Sequence, residues 1–515
     1  MTTDLSDPAL PMAGTDDAPA SDVPVATSRR ALFRAGAALA AAAMVPTGRA
    51  EAQRIQRPRG LNGLPPAPPQ TGTTLARLVH RTTMGFTKPE LDRATAMGYQ
   101  RYLDAQLNYD RLDDSEVEAV VSQRFPALAH DGTTLATMDI NLLYTQLSQA
   151  TLFRAAYSRR QLYERMVEFW SDHFNIAYRD VGYLKLLDDR LVIRKHALGN
   201  FGDLLRASAH STAMLEYLDN TRSRVGRVNQ NYAREIMELH TMGADGGYSQ
   251  KDVEEVTRCF TGWTMMGRGD FRFDPTGHDF GEKIVLGQTF EAMPTSAGSL
   301  GKQDGDRVIN LLLAHPSTAK YVSTKMIQWL LRYDPPEALV QRVAGVFTRT
   351  KGDIRSMVRE ILQPSNVAAA PLKFKRPFHY IVSAMRATTP AVTSVAGYAG
   401  RQLTLTGQPL FSWDTPDGYP DRIDYWAGNL LPRWNFSNSL AGATTGEVVV
   451  DLTPFKPTET PDAIVVAIDT RLFGGEMPAA TRARLRAFLV AQPITTTRVR
   501  EALGLALSAP AFQWY

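Results

Sequence analysis

The chain has 515 residues, 44% of them hydrophobic and 21% charged, with a formal net charge of +4 and one cysteine. That apolar share excludes a disordered chain, and a single thiol excludes an internal disulfide, a zinc finger and a four-cysteine iron–sulfur site. No run of 18 apolar residues occurs, which excludes a polytopic membrane protein, and so weak a charge does not point to nucleic acid.

Residues 1–27 are rich in Asp, Pro, Ala, Ser and Thr and read as a disordered leader. Ser28-Arg29-Arg30-Ala31-Leu32-Phe33 follows, then a short Ala-rich apolar run from Ala35 to Val45, then Ala50-Glu51-Ala52. A charged segment, an apolar core too short to span a bilayer and a small-x-small site form a cleavable export signal. The paired arginines and weakly hydrophobic core give it the Tat form. Residues 1–52 are therefore expected to be removed, leaving a chain for the periplasm or the extracellular space with no stable membrane span. Residues 53–72, rich in Pro, Arg and Gly, read as a linker.

From residue 73 the apolar spacing is helical. Leu75, Leu78 and Val79 open the first helix, and Pro89 sits in the first turn of the next. The spacing predicts helices over 98–107, 133–157, 159–174, 183–198, 229–241 and 250–262, with Ser249 as N-cap of the last. Between 270 and 290, Phe271 and Phe273 alternate with polar residues among punctuating glycines, which predicts a small β-hairpin or loop insertion. Helices follow over 302–315, 317–331, 336–349, 353–363 and 373–387. Residues 404–425 read as an ordered loop, and helices over 426–442, 479–491 and 496–508 complete the chain. The expected class is mainly α, one large multi-helix unit over 73–515. Cys259 falls in an apolar helix and reads as core.

Candidate chemistry lies between 164 and 283. Glu168 and Asp172 share a helix face beside His173. Leu218-Asp219-Asn220 reads as a cap or as a binding pair. In Asn229–His240, Asn231, Glu235 and Glu238 form a polar stripe next to the apolar stripe of Tyr232, Ile236 and Leu239. Paired carboxylates suit acid–base catalysis or metal binding, because close like charges push one pKa up. The plainer reading is a solvated face paired with Arg234. His278 and Asp279, side by side in a glycine-rich turn, suit neighbouring ligands or a base and its orienter, with Lys283 placed for an anionic group. His173, His278 and Asp279 are candidate ligands for a divalent metal. No Glu-x-x-His, His-Glu-x-x-His or Gly-x-Ser-x-Gly occurs, which excludes a ferritin-like di-iron bundle, a zincin and a nucleophile elbow.

One ordered set of motifs is specific. It comprises Arg81 with Met84-Gly85-Phe86, Phe169–Phe174, Leu198-Gly199-Asn200-Phe201, Met214–Asn220, Asn231-Tyr232-Ala233-Arg234-Glu235, Thr261-Gly262-Trp263, His278-Asp279-x-Gly281-x-Lys283, His315–Ala319 and Thr415-Pro416-Asp417-Gly418-Tyr419-Pro420. In this order they resemble the bacterial family called domain of unknown function 1800, over nearly all of 73–515. The resemblance implies an exported, largely helical protein. It also implies a partner from a second exported family, domain of unknown function 1501, whose fold looks like that of alkaline phosphatase. Asn231, Arg234, Glu235, His278, Asp279 and Lys283 carry the family's motifs. His379 departs from the pattern, since relatives tend to carry an acidic residue there.

Two functions remain open. One is a hydrolase-type enzyme in which Glu235 and Glu238 meet His278 and Asp279 in one cleft, with Asp219, Asn231, Arg234 and Lys283 binding and a metal as candidate cofactor. The other is a non-catalytic envelope binding or assembly protein. There the polar stripe is a structural network, and Phe411, Trp413, Tyr419, Tyr425, Trp426 and Trp434 offer sugar or partner contacts.

Overall fold

The computed structural model describes residues 67–69, 72–85, 87–392, 395–445, 447–455 and 460–515. The export signal, nearly all of the 53–72 linker and Phe86 lie outside the described residues. The described chain is built almost wholly of helices, with three two-stranded antiparallel ladders.

Capping chemistry sets many helix starts. Ser249 and Asp252 form a reciprocal capping box ahead of Gln250–Cys259. Asp353 accepts from the Ser356 amide ahead of Ile354–Ile361, and Thr460 from the Ala463 amide ahead of Pro461–Phe473. Most expected helices occur within a few residues of the limits read from spacing, among them Gln161–His173, Asn231–Glu238 and Pro316–Leu330.

Four departures have physical causes. The 183–198 segment divides into Leu184–Asp188 and a wider π-helical turn over Asp189–Arg194. Arg194 there reaches Glu164 with two nitrogens, at 3.1 and 3.0 Å, and Asp189 at 3.1 Å. The 373–387 helix begins only at Pro377. Proline pushes the residue before it into an extended conformation, and Arg376 has φ −61° and ψ 161°. Lys373 and Lys375 instead pair along the backbone with Tyr515 and Gln513. The β insertion holds two hairpins, Trp263–Met266 with Asp270–Phe273 and Lys283–Val285 with Gln288–Phe290. Helices Ser115–Arg124, Phe201–Ala209, Val395–Leu405 and Pro461–Phe473 were not read from spacing. Pro461–Phe473 is apolar over most of its circumference, so it shows no polar face to mark its period.

Two large apolar clusters form the core. The larger joins Leu78, Trp170, Phe201, Ile236, Phe260 and Met326 with their neighbours, and the second gathers around Tyr380, Phe436, Ile468 and Leu503. Cys259 is fully buried, as expected of a core thiol. Trp263 is fully buried at the start of the first hairpin and packs edge-on to Phe260 and Phe271 at 5.0 and 5.2 Å. Gly305 lies so close that any Cβ there would overlap the indole ring. Trp263→Ala is expected to cost about 3–5 kcal/mol. Urea denaturation measures it, and a loss below about 1 kcal/mol would contradict this packing.

Candidate functional site

The His278–Lys283 motif forms a closed structural knot. His278 is buried, with Nδ1 2.8 Å from the Thr261 carbonyl and Nε2 3.4 Å from Asp304 Oδ2. Lys283 Nζ donates to the same Asp304 oxygen at 2.8 Å and to the Gly281 carbonyl at 2.9 Å. Asp279 accepts from Arg258 Nε and Nη2 at 2.7 and 3.2 Å, and from the Gly281 amide. Burial alone would raise the Asp304 carboxyl, but hydrogen bonds from His278 and Lys283 outweigh it and hold Asp304 below the usual range. Every polar group of this knot is engaged in tying the second hairpin to the Gln250–Cys259 and Lys302–Ala314 helices.

Glu235 and Glu238 are placed differently. Both are half-buried on the Asn231–Glu238 helix, one turn apart, and neither side chain has a hydrogen-bond or ion-pair partner among the described residues. Arg234 donates to Gln250 instead. Burial raises the Glu235 carboxyl, and the charges of Glu238 and Asp417 push the same way against Arg234. Asn231 and Asp219 are exposed, and Asp219 holds a left-handed φ of 59° between two helical segments. The neighbouring Asn220 is buried and donates to the Phe260 and Trp263 carbonyls. No hydrogen bond or ion pair joins Glu235 or Glu238 to His278 or Asp279 among the described residues; the motif is satisfied from within by Asp304 and Arg258, while the carboxylate pair has no such partner.

Asp417 connects the carboxylate pair to a cleft of about 460 Å³ lined by Asp172, His173, Trp329, Tyr333, Arg376 and Asp421 among others. Its floor is Arg376. This buried guanidinium is ion-paired to Glu168 and to Asp172, the latter at 2.6 Å, and donates to the Tyr419 carbonyl at 3.2 Å. Two carboxylates share one guanidinium, so burial holds both above the usual carboxylate range, while their combined charge with Asp421 keeps Arg376 protonated. Lys373 reaches Asp421 at 2.6 Å. Trp329 lies among the cations, with Arg376 4.6 Å and Arg165 5.1 Å from its ring centroid. The 413–421 loop is fastened over this floor by Asn175, which donates to the Trp413 and Thr415 carbonyls, and by Tyr217, which donates to that of Asp414. Gly418 has φ 72°, and any Cβ there would overlap the Asp172 carbonyl, so the loop crosses the helix end only with glycine.

His173 lines the cleft but is spent on packing. It is buried among aromatic rings, its Nε2 donates to the His240 carbonyl at 3.1 Å, and burial holds it well below the ordinary histidine range. Burial pushes His240 down to about 3. Among the described residues no group of three His, Cys, Asp or Glu side chains could hold a metal ion, so His173, His278 and Asp279 do not gather as a ligand set. His379, buried, sits 3.1 Å from Arg165 and against Tyr515, where an acidic residue would neutralise Arg165 and a histidine does not. Of the aromatic stretch, Phe411, Tyr419 and Trp426 are buried, Trp413 is half-buried, and Tyr425 and Trp434 are exposed. Spacing did not single out Arg376, Lys373, Asp417 or Asp421. The one local signal was three cations in Lys373-Phe374-Lys375-Arg376, inside an otherwise apolar stretch.

The chain matches the family described as "Protein of unknown function (DUF1800)" over residues 77–514, and it belongs to that family. Neither a curated protein nor a solved structure matches it. No helix among the described residues is long and apolar enough to cross a membrane.

The two sets of carboxylates should respond oppositely to neutralisation. Asp304→Asn strands a buried Lys283 and is expected to cost about 3–5 kcal/mol. The folded Asp304 pKa is depressed, so its contribution is present above the unfolded value and is lost as pH falls through about 4 and below. The wild-type melting temperature should drop over that acid window more steeply than that of Asp304→Asn. Glu235→Gln removes a like charge from a half-buried pair and should leave stability unchanged or raise it by about 0.2–0.5 kcal/mol. Calorimetry from pH 3 to 8 checks both signs.

Proposed function

We propose that the protein is an exported acid–base hydrolase, with Glu235 and Glu238 as its working carboxylates, within electrostatic reach of Asp417 on the wall of the Arg376 cleft. The observation that carries this reading is a half-buried carboxylate pair that makes no side-chain hydrogen bond or ion pair among the described residues. A polar group kept at a cost to stability is the usual mark of a functional site. The raised Glu235 carboxyl suits a proton donor, and its charged neighbour Glu238 suits a base. Asp417, held by Trp413 Nε1 at 2.9 Å and by Thr415 Oγ1 at 2.5 Å, extends the acidic rim toward the cleft. Trp329 and Tyr333 contribute ring edges to its lining, their faces being met by Arg376, Arg165 and Lys373, while Asp172, Asp421 and Lys325 offer polar groups. A cleft lined by several carboxylates, amides and cations beside aromatic edges suits a neutral, polyhydroxylated substrate of the glycan class.

A second reading rests on a separate observation. Leu431 and Trp434 lie one turn apart and exposed on the Leu430–Gly442 helix, with exposed Tyr425 just before it in the chain. This strip suits docking of an exported partner such as a protein of domain of unknown function 1501. Leu431→Asp with Trp434→Asp should abolish co-purification of that partner and leave hydrolysis intact.

The purified protein should be assayed against chromogenic glycosides, esters and amides. Turnover of a glycoside is expected, with a loss of about 10²–10⁴-fold in Glu235→Gln at an unchanged melting temperature. Undiminished turnover in both Glu235→Gln and Glu238→Gln, or turnover of none of the three classes, contradicts the reading.

A further inference from the structure

The strand-like segment 373–376 and the chain's last residues enclose a group of buried cations that the cleft does not use. Arg81, Arg165, Lys375 and Arg433 are each no more than 2% exposed, and none has an ion pair among the described residues. Arg433 meets the Gln513 side chain and the Lys375 carbonyl, and Arg165 meets His379 and the Tyr515 hydroxyl, each leaving only its buried Nε without a hydrogen-bond partner. Arg81 and Lys375 have fewer partners. Arg81 donates through Nη2 to the Pro371 carbonyl and lies over the Tyr515 ring, 4.9 Å from its centroid, while its Nη1 is buried without a hydrogen-bond partner. Lys375 has one hydrogen bond, to Ser383 Oγ at 3.1 Å, and its ammonium lies 3.9 Å from the Phe512 ring centroid, with no carboxylate partner among the described residues.

Both residues line a separate chamber of about 70 Å³, together with Arg77, His80, Trp514 and Tyr515 among others. Arg77 Nε and Trp514 Nε1 are also buried without hydrogen-bond partners. Glu476 is the carboxylate on this wall, and it accepts from the Thr73 amide. Arg77, Arg81 and Lys375 outnumber it by two charges. A buried donor without an acceptor costs about 1–3 kcal/mol, and more when it is charged. Here such donors come from three separate chain segments and line one void with room for several waters. Burial and the Arg433 charge pull Lys375 down to about 7, as expected of an ammonium with no counter-ion.

We propose that this chamber binds a small tetrahedral oxyanion of phosphate or sulfate size, held by Arg81, Lys375, Arg77 and the Trp514 indole. A planar guanidinium, a point-like ammonium and a neutral N–H donor together match several oxygens arranged around one centre. An anion held there acts as a counter-charge that seats the 373–376 segment, whose backbone pairs with Gln513 and Tyr515, against those last residues.

Isothermal titration of the purified full chain with inorganic phosphate, sulfate and chloride, each in an anion-poor buffer, tests this. Phosphate or sulfate should bind one to one and raise the melting temperature with concentration. Arg81→Gln should weaken that binding at least about tenfold, since it removes a buried charged donor. Because Arg81→Gln also alters packing, Trp514→Phe provides a milder variant that keeps the ring and removes only the N–H. It should weaken binding about three- to tenfold with the fold retained. Absence of saturable binding of either oxyanion overturns the proposal. So does chloride binding as tightly as phosphate, or unchanged affinity in both variants.

Discussion

The double ion pair of Arg376 is the constraint on which the rest of the molecule depends. One buried guanidinium ties together the Gln161–His173 helix, through Glu168 and Asp172, and the 413–421 loop, through the Tyr419 carbonyl. The backbone just before Arg376 pairs with the chain's last residues. Charges this deep are tolerated when they are paired and hydrogen-bonded. The ion pairs of Arg376 and the backbone pairing just before it thus tie the three segments together around the cleft.

Against that rule, the polar residues fall into two kinds. Asp304, Lys283, His278, Asp279 and Arg258 satisfy one another and stabilise the fold. Glu235 and Glu238 are partly desolvated with no partner, and Arg81 and Lys375 are buried with donors left over. Groups of the second kind oppose folding, so a ligand or a reaction is the natural account of their retention. On this contrast the proposed hydrolase places its working groups on the Asn231–Glu238 helix rather than in the histidine motif, although in the sequence the two looked equally suited to chemistry.

The sequence carried local information well. Ser249, Asp353 and Thr460 mark helix starts by their side chains, and the 3–4 spacing of buried residues located most helices. It carried long-range pairing poorly. Arg376 and Asp172 lie 204 residues apart, and Asp304 lies 26 residues from His278, so neither pairing left a periodic trace. The Asn231, Glu235 and Glu238 stripe was legible because amides and carboxylates at helical spacing beside an apolar face are conspicuous. What it could not reveal was whether Arg234 or another cation neutralised the pair. That depended on Arg234 pairing with Gln250, which is a tertiary contact.

The most direct test of the account is the ionisation of Glu235 itself. A carbon-13 NMR titration of selectively labelled glutamates should show Glu235 titrating above about 4.3, the ordinary glutamate value. The midpoint should move down when Glu238 is replaced by Gln, because one like charge is gone. A Glu235 that titrates at or below the ordinary value, and does not respond to Glu238→Gln, would show a solvated or neutralised carboxylate and contradict the assignment of this pair as the working acid and base.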